Sequence, residues 1–154
     1  MKKKEEFHLL HSVKREVYYS YIRIIRLFSY LFSKNIEHQF LFILSPPYSG
    51  STMLNQLISS SENVSCNNNL GTREGQLLPG VRNFMFQKDR WDEKVKYPWE
   101  KVRKTWLRYW DYSKPIFLDK SIPNIMRVDE IEKVFTPIKY MCMVRNPYAQ
   151  VEGL

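Results

Sequence analysis

The pattern of apolar and polar positions is clearest in the middle of the chain, where an apolar run is followed by a turn and a periodic segment. Residues 40–44 are all apolar, which is typical of a strand covered on both faces. Residues 45–52 contain Pro and Gly and indicate a turn. Apolar residues then recur at helical spacing over 53–58. We therefore predict a strand, a tight loop and a helix in this order.

Residues 7–33 form the first candidate helix, because apolar residues recur along one stripe at spacings of three and four. This stripe comprises Leu10, Val13, Val17, Tyr21, Ile24, Phe28 and Leu31. Arg23 and Arg26 interrupt its most apolar part, so neither a signal peptide nor a membrane span is expected. Two interpretations stay open: a helix packed on the domain or on a partner, and a basic amphipathic helix lying on an anionic membrane.

Shorter apolar runs in the second half of the chain predict further strands and helices. Residues 116–118 and 138–144 are interpreted as strands, and the polar stretch 62–76 as a loop. Helices are predicted to begin at Pro98 and Pro123, with a short one near Pro79. The aromatic stripe after Pro98 suits either the core or a ligand pocket. Strands that alternate with helices indicate an α/β fold with a parallel sheet.

Polar residues follow each of the three predicted strands, namely Ser49 to Thr52, Lys120 and Arg145. Ligands of parallel α/β sheets bind beyond the carboxyl ends of the strands. A turn rich in hydroxyl groups at a helix N-terminus attracts anions, and Gly50 lets the backbone approach them closely. The three positions together predict one cleft for an anionic ligand.

Composition limits the class of protein more than it identifies a function. The 154 residues suit one domain, and with 44% apolar residues the chain can bury a sizeable core. The net charge is +8, and eight basic but only three acidic residues fall within 1–34. This balance suits an anionic cofactor or substrate, nucleic acid or an acidic membrane. Cys66 and Cys142 form no disulfide framework, and Cys142 is predicted to be a buried thiol, so a reducing, cytoplasmic location is expected. No spacing of metal ligands is present, and no metal is predicted.

The turn differs from the phosphate loop of nucleotide kinases and NTPases, whose pattern is G-x-x-x-x-G-K-[ST]. Ser45 stands where that pattern has its first glycine, and Ser51 stands where it has lysine. Those enzymes place the lysine on the β- and γ-phosphates. A nucleotide kinase or NTPase is therefore an alternative hypothesis that lacks its central cation.

Residues 47–52, with the sequence PYSGST, resemble the 5′-phosphosulfate loop of the sulfotransferases that use PAPS (3′-phosphoadenosine 5′-phosphosulfate). The family pattern is P-[KR]-[ST]-G-[ST]-[ST], and the chain departs from it where Tyr48 replaces the basic residue. The resemblance implies a P-loop-like three-layer fold. It also implies that the cofactor-binding residues are Tyr48, Ser49, Gly50, Ser51 and Thr52.

Two later stretches resemble motifs of the same family. Residues 139–154 resemble its 3′-phosphate motif, a strand followed by V-R-[DN]-P and a helix, which implies that Arg145 binds the 3′-phosphate. A guanidinium suits this role because its planar fork pairs two phosphate oxygens. The family usually has a serine eight positions later, where this chain has Gly153. Residues 117–121 resemble an E-K-[ST] stretch, which implies that Lys120 lies at the active site and stabilises charge on the bridging oxygen.

A sulfuryl acceptor must lose a proton, so a general base is needed. The family resemblance implies Glu74 for this role, and Arg73 beside it is a candidate to orient acceptor or cofactor. The leading hypothesis is sulfuryl transfer from PAPS to a hydroxyl or amine of a small molecule, a carbohydrate or another acceptor, with no nucleic-acid partner. A third hypothesis is a non-catalytic remnant that contacts membrane surfaces through residues 7–33.

The resemblance covers residues 38–154 and only the first part of a typical sulfotransferase domain. We therefore expect a basic amphipathic helix in 1–37 and the N-terminal part of a sulfotransferase-like domain in 38–154. The fold is expected to be incomplete at the C-terminus, with the helix after Arg145 cut at Leu154. A sheet with an uncovered edge would make such a fragment poorly stable and leave its own activity in question.

Overall fold

One sheet of four parallel strands organises the chain. The strands are β1 (Gln39–Leu44), β2 (Val64–Cys66), β3 (Ile116–Asp119) and β4 (Ile138–Cys142), and their order in the sheet is β2-β3-β1-β4. The computed structural model that shows this sheet describes residues 2–33 and 36–151. All three strand pairings are parallel, which confirms the predicted α/β fold.

Helices connect the strands and cover the sheet. The α-helices are α1 (Lys2–Phe32), α2 (Ser51–Ser59), α3 (Arg82–Met85), α4 (Trp99–Trp106), α5 (Val128–Glu132) and α6 (Pro147–Val151). Two 3₁₀ turns cover Gly75–Leu77 and Ile122–Met126. The predicted helices after Pro98 and after the first loop are confirmed. The segment from Pro123 is instead a 3₁₀ turn followed by α5.

Alternate residues of β1 face different layers, as expected for a strand. Phe40 and Phe42 are buried in an aromatic core to which α4 contributes Trp99 and Trp106. Ile43 lies in a second cluster, against which Leu54 and Ile58 of α2 pack. The sheet therefore lies between two layers. The predicted aromatic stripe after Pro98 is core, because its members in α4 and just after it are buried: Trp99, Val102, Trp106, Tyr109 and Trp110.

Two sequence predictions about this sheet are wrong. The stretch 62–76 is not all loop, because Val64–Cys66 forms a short strand whose residues are all buried. The thiol of Cys142 is exposed rather than buried. The reason is that β4 pairs only with β1 at the edge of the sheet, where much of its surface is open to solvent.

Helix α1 docks on the domain through the face opposite to the predicted stripe. Tyr19 is buried and lies edge-on to Tyr109, while Tyr18 and Ile22 pack against the same aromatic core. The stripe residues with described side chains are each more than half exposed: Val13, Val17, Tyr21, Ile24, Phe28 and Leu31. The prediction of the helix is confirmed, but its most regular apolar stripe faces outward. Within the described ranges, no helix is long and apolar enough to cross a membrane.

Candidate active site

The loop between β1 and α2 has a backbone that few residue types adopt. Gly50 precedes α2 with φ 89° and ψ 9°, and Tyr48 has φ 58°. Space does not require glycine at residue 50, because an added Cβ would meet no atom within 4 Å. The left-handed conformation is the reason for glycine there. The loop leads directly into the first turn of α2, where helix N–H groups lack intrahelical partners.

Two buried hydroxyls lie in this loop without a hydrogen-bond partner among the described residues. They belong to Ser45 and Ser49. Buried polar groups are normally satisfied, so an unpaired pair in one loop requires an explanation. Ser49 also lines the adjacent cleft, and a bound anion would accept its hydrogen bond. The loop therefore fits an anionic ligand by its chemistry as well as by its position.

Lys120 directly follows β3, is buried, and lines the cleft beside the loop. Its Nζ atom lies 3.1 Å from Oγ1 of Thr52 and 3.3 Å from Oε1 of Glu74. The side chains of Lys120 and Glu74 are only 1% and 6% exposed. The second carboxylate oxygen of Glu74 accepts a hydrogen bond from Gln76. Residues predicted from three separate segments thus meet in one hydrogen-bonded group.

The carboxylate of Asp119 holds the two segments of this group together. Its oxygens accept hydrogen bonds from the backbone N–H of Gly75 at 3.0 Å and of Ser121 at 2.9 Å. Three side chains donate to it as well, those of Asn67, Ser121 and Asn124. Gly75 follows Glu74 and Ser121 follows Lys120, so Asp119 fixes both backbones. Complete burial raises the pKa of Asp119, although the hydrogen bonds act in the opposite direction.

Helix α1 reaches the same group through Asn68. The hydroxyl of Tyr19 donates to Oδ1 of Asn68 at 3.2 Å, and Nδ2 of Asn68 donates to the carbonyl oxygen of Glu74 at 2.8 Å. The sequence offered no signal for this connection, because a single Asn in a polar stretch resembles any loop residue.

The loop and the ion pair line a cleft of about 610 Å³. Every predicted site residue except Arg73 and Arg145 contributes to that lining. The lining also contains Leu77, Phe86, Arg90, Trp91 and Ile122. Arg90 lies over the rings of Phe86 and Trp91, 4.7 and 5.3 Å from their centroids. Sequence reasoning missed these five residues.

Arg145 takes a different position from the other predicted residues. It follows β4, is exposed, and donates from Nη1 to the carbonyl oxygen of Tyr48 at 2.6 Å. It therefore contacts the loop but does not line the cleft. Gly153, the other residue of the predicted 3′-phosphate motif, lies outside the described residues.

Arg73 does not point to the cleft. Its guanidinium donates to Asn55, Ser59 and Asn69, which fixes the loop 69–73 to α2. The role of orienting acceptor or cofactor is therefore not supported for Arg73. Among the described residues, no group of three or more His, Cys, Asp or Glu side chains is placed to hold a metal ion.

Comparison with known proteins gives one match that covers most of the domain. The family model described as "Sulfotransferase family" matches residues 41–153. The match contains the loop, β2, the buried ion pair and Arg145. Neither the search of curated proteins nor the search of solved structures found a match.

Proposed function

The chain belongs to the sulfotransferase family, and from this premise we propose that it transfers a sulfuryl group from PAPS to a hydroxyl or amine acceptor. The observation that carries the proposal is the buried pair of Lys120 and Glu74 beside the loop between β1 and α2, which we call the anion loop. A nucleotide kinase would need a lysine at position 51, where the loop has serine.

The loop is assigned to the 5′-phosphosulfate of PAPS. The unpaired buried hydroxyl of Ser49, the left-handed backbone at Gly50 and the N-terminus of α2 support this assignment. Ser51 and Thr52 add hydroxyls at the start of the helix. When bound, PAPS supplies the sulfuryl group and a phosphate leaving group.

Lys120 and Glu74 are assigned to the two sides of the transfer. The acceptor oxygen forms a bond to sulfur while the bond from sulfur to the bridging phosphate oxygen breaks. Glu74 accepts the proton of the acceptor hydroxyl, and Lys120 stabilises the negative charge left on the bridging oxygen. The contact of Lys120 with Thr52 supports its place on the loop side, and both Lys120 and Glu74 line the cleft. Lys120 also supplies a cation close to the loop, in which Tyr48 replaces the basic residue of the family pattern.

Arg145 is assigned to the 3′-phosphate of PAPS. Its support is its position at the end of β4, its exposure and its contact with Tyr48 at 2.6 Å. No ion pair engages it among the described residues, so its charge is available to a phosphate. The acceptor is assigned to the part of the cleft lined by Phe86 and Trp91, and its class is a small molecule, a carbohydrate or another hydroxyl compound.

Residues 7–33 are assigned a peripheral contact with a membrane surface. The outward apolar stripe of α1 supports this, because a helix docked by one face presents the other to its surroundings. This contact is independent of the transfer chemistry.

Titration calorimetry with adenosine 3′,5′-bisphosphate and with AMP tests the proposed cofactor. We expect tighter binding of the bisphosphate. Equal affinity for both nucleotides would refute the PAPS assignment, and tight binding of ATP with Mg²⁺ would instead support the kinase alternative.

A further inference from the structure

A groove between α1 and the C-terminal end of α4 combines positive charge with an apolar floor. It has a volume of about 320 Å³. Arg23, Arg26 and Arg108 line it together with Leu27, Tyr30, Leu107 and Tyr112. It is separate from the active-site cleft, with which it shares no lining residue.

Two of the three arginines form no ion pair with any residue that the structure describes. Arg26 pairs with Asp111, and its Nε atom is buried without a hydrogen-bond partner. Arg23 donates to the neutral hydroxyl of Ser20, and among the described residues neither Arg23 nor Arg108 forms an ion pair. The acid of α1 with a described side chain is Glu16, two helical turns from Arg23. The groove therefore attracts an anion.

The groove is continuous with the exposed apolar stripe of α1. Leu27 is 57% exposed. It lies three residues after Ile24 and directly before Phe28, and both of these residues belong to the stripe. Between Val13 and Leu31 the stripe extends about 27 Å along the helix axis. A ligand that fills the groove with an anionic group can thus lay an apolar part along the same helix.

We propose that this groove binds the phosphate headgroup of an anionic phospholipid while the stripe of α1 lies in the membrane interface. The proposal rests on the peripheral membrane contact proposed for residues 7–33 and gives that contact a lipid class and a site. Charge complementarity favours this occupant, because a second copy of the chain would bring the same arginines against one another. Arginine forks suit phosphate oxygens, and an apolar helix face with basic flanks suits the interface.

Vesicle co-sedimentation with the full chain tests the proposal. The probes are vesicles of phosphatidylcholine alone and vesicles of phosphatidylcholine mixed with phosphatidylserine. We expect preferential binding to the anionic vesicles, and a loss of about fivefold in affinity for each of Arg23→Ala and Arg108→Ala. The matched control is Lys104→Ala, which removes an exposed charge one turn before Arg108 without touching the groove, and whose effect should be clearly smaller.

The outcomes separate the site from the membrane contact. If Arg108→Ala and Lys104→Ala lose equal affinity for anionic vesicles, the groove is not a lipid site. The binding would then reflect only the general attraction of basic proteins to anionic surfaces. A different result would overturn both the lipid site and the membrane contact. In that case the chain binds no vesicle, and it self-associates in sedimentation equilibrium in a way that Ile24→Ser abolishes. The occupant of the groove and stripe would then be a second copy of the chain. Neither result would bear on the transfer chemistry, which nucleotide calorimetry tests separately. Circular dichroism of each variant confirms that the fold is retained.

Discussion

The Nζ atom of Lys120 lies 3.3 Å from Oε1 of Glu74, and both side chains are almost fully buried. They come from segments 46 residues apart and meet at the anion loop. Removing one member of a buried ion pair leaves the other charge without compensation. The pair therefore links the stability of the domain to the chemistry proposed for it.

Lys120→Met is expected to lower the free energy of unfolding by about 3–5 kcal/mol, because Glu74 then remains as an unpaired buried charge. The double variant Lys120→Met with Glu74→Gln should recover most of this loss. Urea unfolding monitored by circular dichroism measures both. Lys104→Met serves as the exposed control and should change the free energy by less than about 0.5 kcal/mol. A single variant as stable as the unmodified chain would contradict the prediction.

Asp119→Ala is expected to destabilise the domain by at least about 3 kcal/mol, because hydrogen bonds to a charged acceptor contribute about 1.5–3 kcal/mol each. Five donors lose their acceptor in this variant. Asp119→Asn keeps the shape but turns an amide N–H₂ toward donors, so it should also be destabilising. Guanidinium unfolding gives the values, and exposed Asp129→Ala is the control. An unaffected midpoint in Asp119→Ala would show that Asp119 does not hold the two segments.

Arg145→Ala is expected to remove most of the preference for adenosine 3′,5′-bisphosphate over AMP. The reason is the loss of a charge-assisted pair with the 3′-phosphate. Binding of AMP should fall much less, because the loop loses only the hydrogen bond from Arg145 to the carbonyl oxygen of Tyr48 and keeps its other contacts. Calorimetry with both nucleotides provides the comparison, with exposed Lys139→Ala on β4 as the control. A preference that survives in Arg145→Ala would place the 3′-phosphate elsewhere.

The docking of α1 is expected to weaken in acid. Burial acts to raise the pKa of Asp111, but hydrogen bonds from Ser29 and Ser113 and the charge of Arg26 outweigh it and hold the pKa below its usual 3.8. The folded-state pKa is thus lower than the unfolded one, so the stabilisation is complete above about pH 4 and is lost as the pH falls through the folded value.

The stability difference between the unmodified chain and Asp111→Asn measures this effect. The difference should be constant near neutral pH and shrink in the acid range just described. Unfolding curves at several pH values give this difference in the free energy of unfolding. Asp89→Asn, which removes an exposed carboxylate outside α1, is the control variant. A difference that grows on acidification would contradict the assigned role of Asp111.

The sequence predicts the central part of the site because its signals are local. A strand, a Gly-containing turn and a helix follow one another at 39–59, and Lys120 directly follows a strand. Parallel strands place their carboxyl ends at one edge, so the loop and Lys120 must lie close together. Asp119 lies in the stretch 117–121, but the sequence does not predict its role, since five donors from several segments define that role only in the folded chain.

The errors have physical causes as well. Helix α1 has apolar residues on two faces, and periodicity does not show which one docks. The polar residues Arg26 and Ser29 determine which face docks, because both donate hydrogen bonds to Asp111. The strand Val64–Cys66 is too short for an alternation pattern and stands beside a run of asparagines. The exposure of Cys142 follows from the strand order, which the sequence did not specify.

The conformation of Tyr48 has an energetic consequence for ligand binding. A residue with a Cβ in the left-handed region costs about 1–2 kcal/mol relative to the right-handed one. The hydrogen bond from Arg145 to the carbonyl oxygen of Tyr48 helps to hold this backbone, so the cost is met when the chain folds. For the proposed nucleotide, this means that little of its binding energy would be diverted into rearranging the polypeptide.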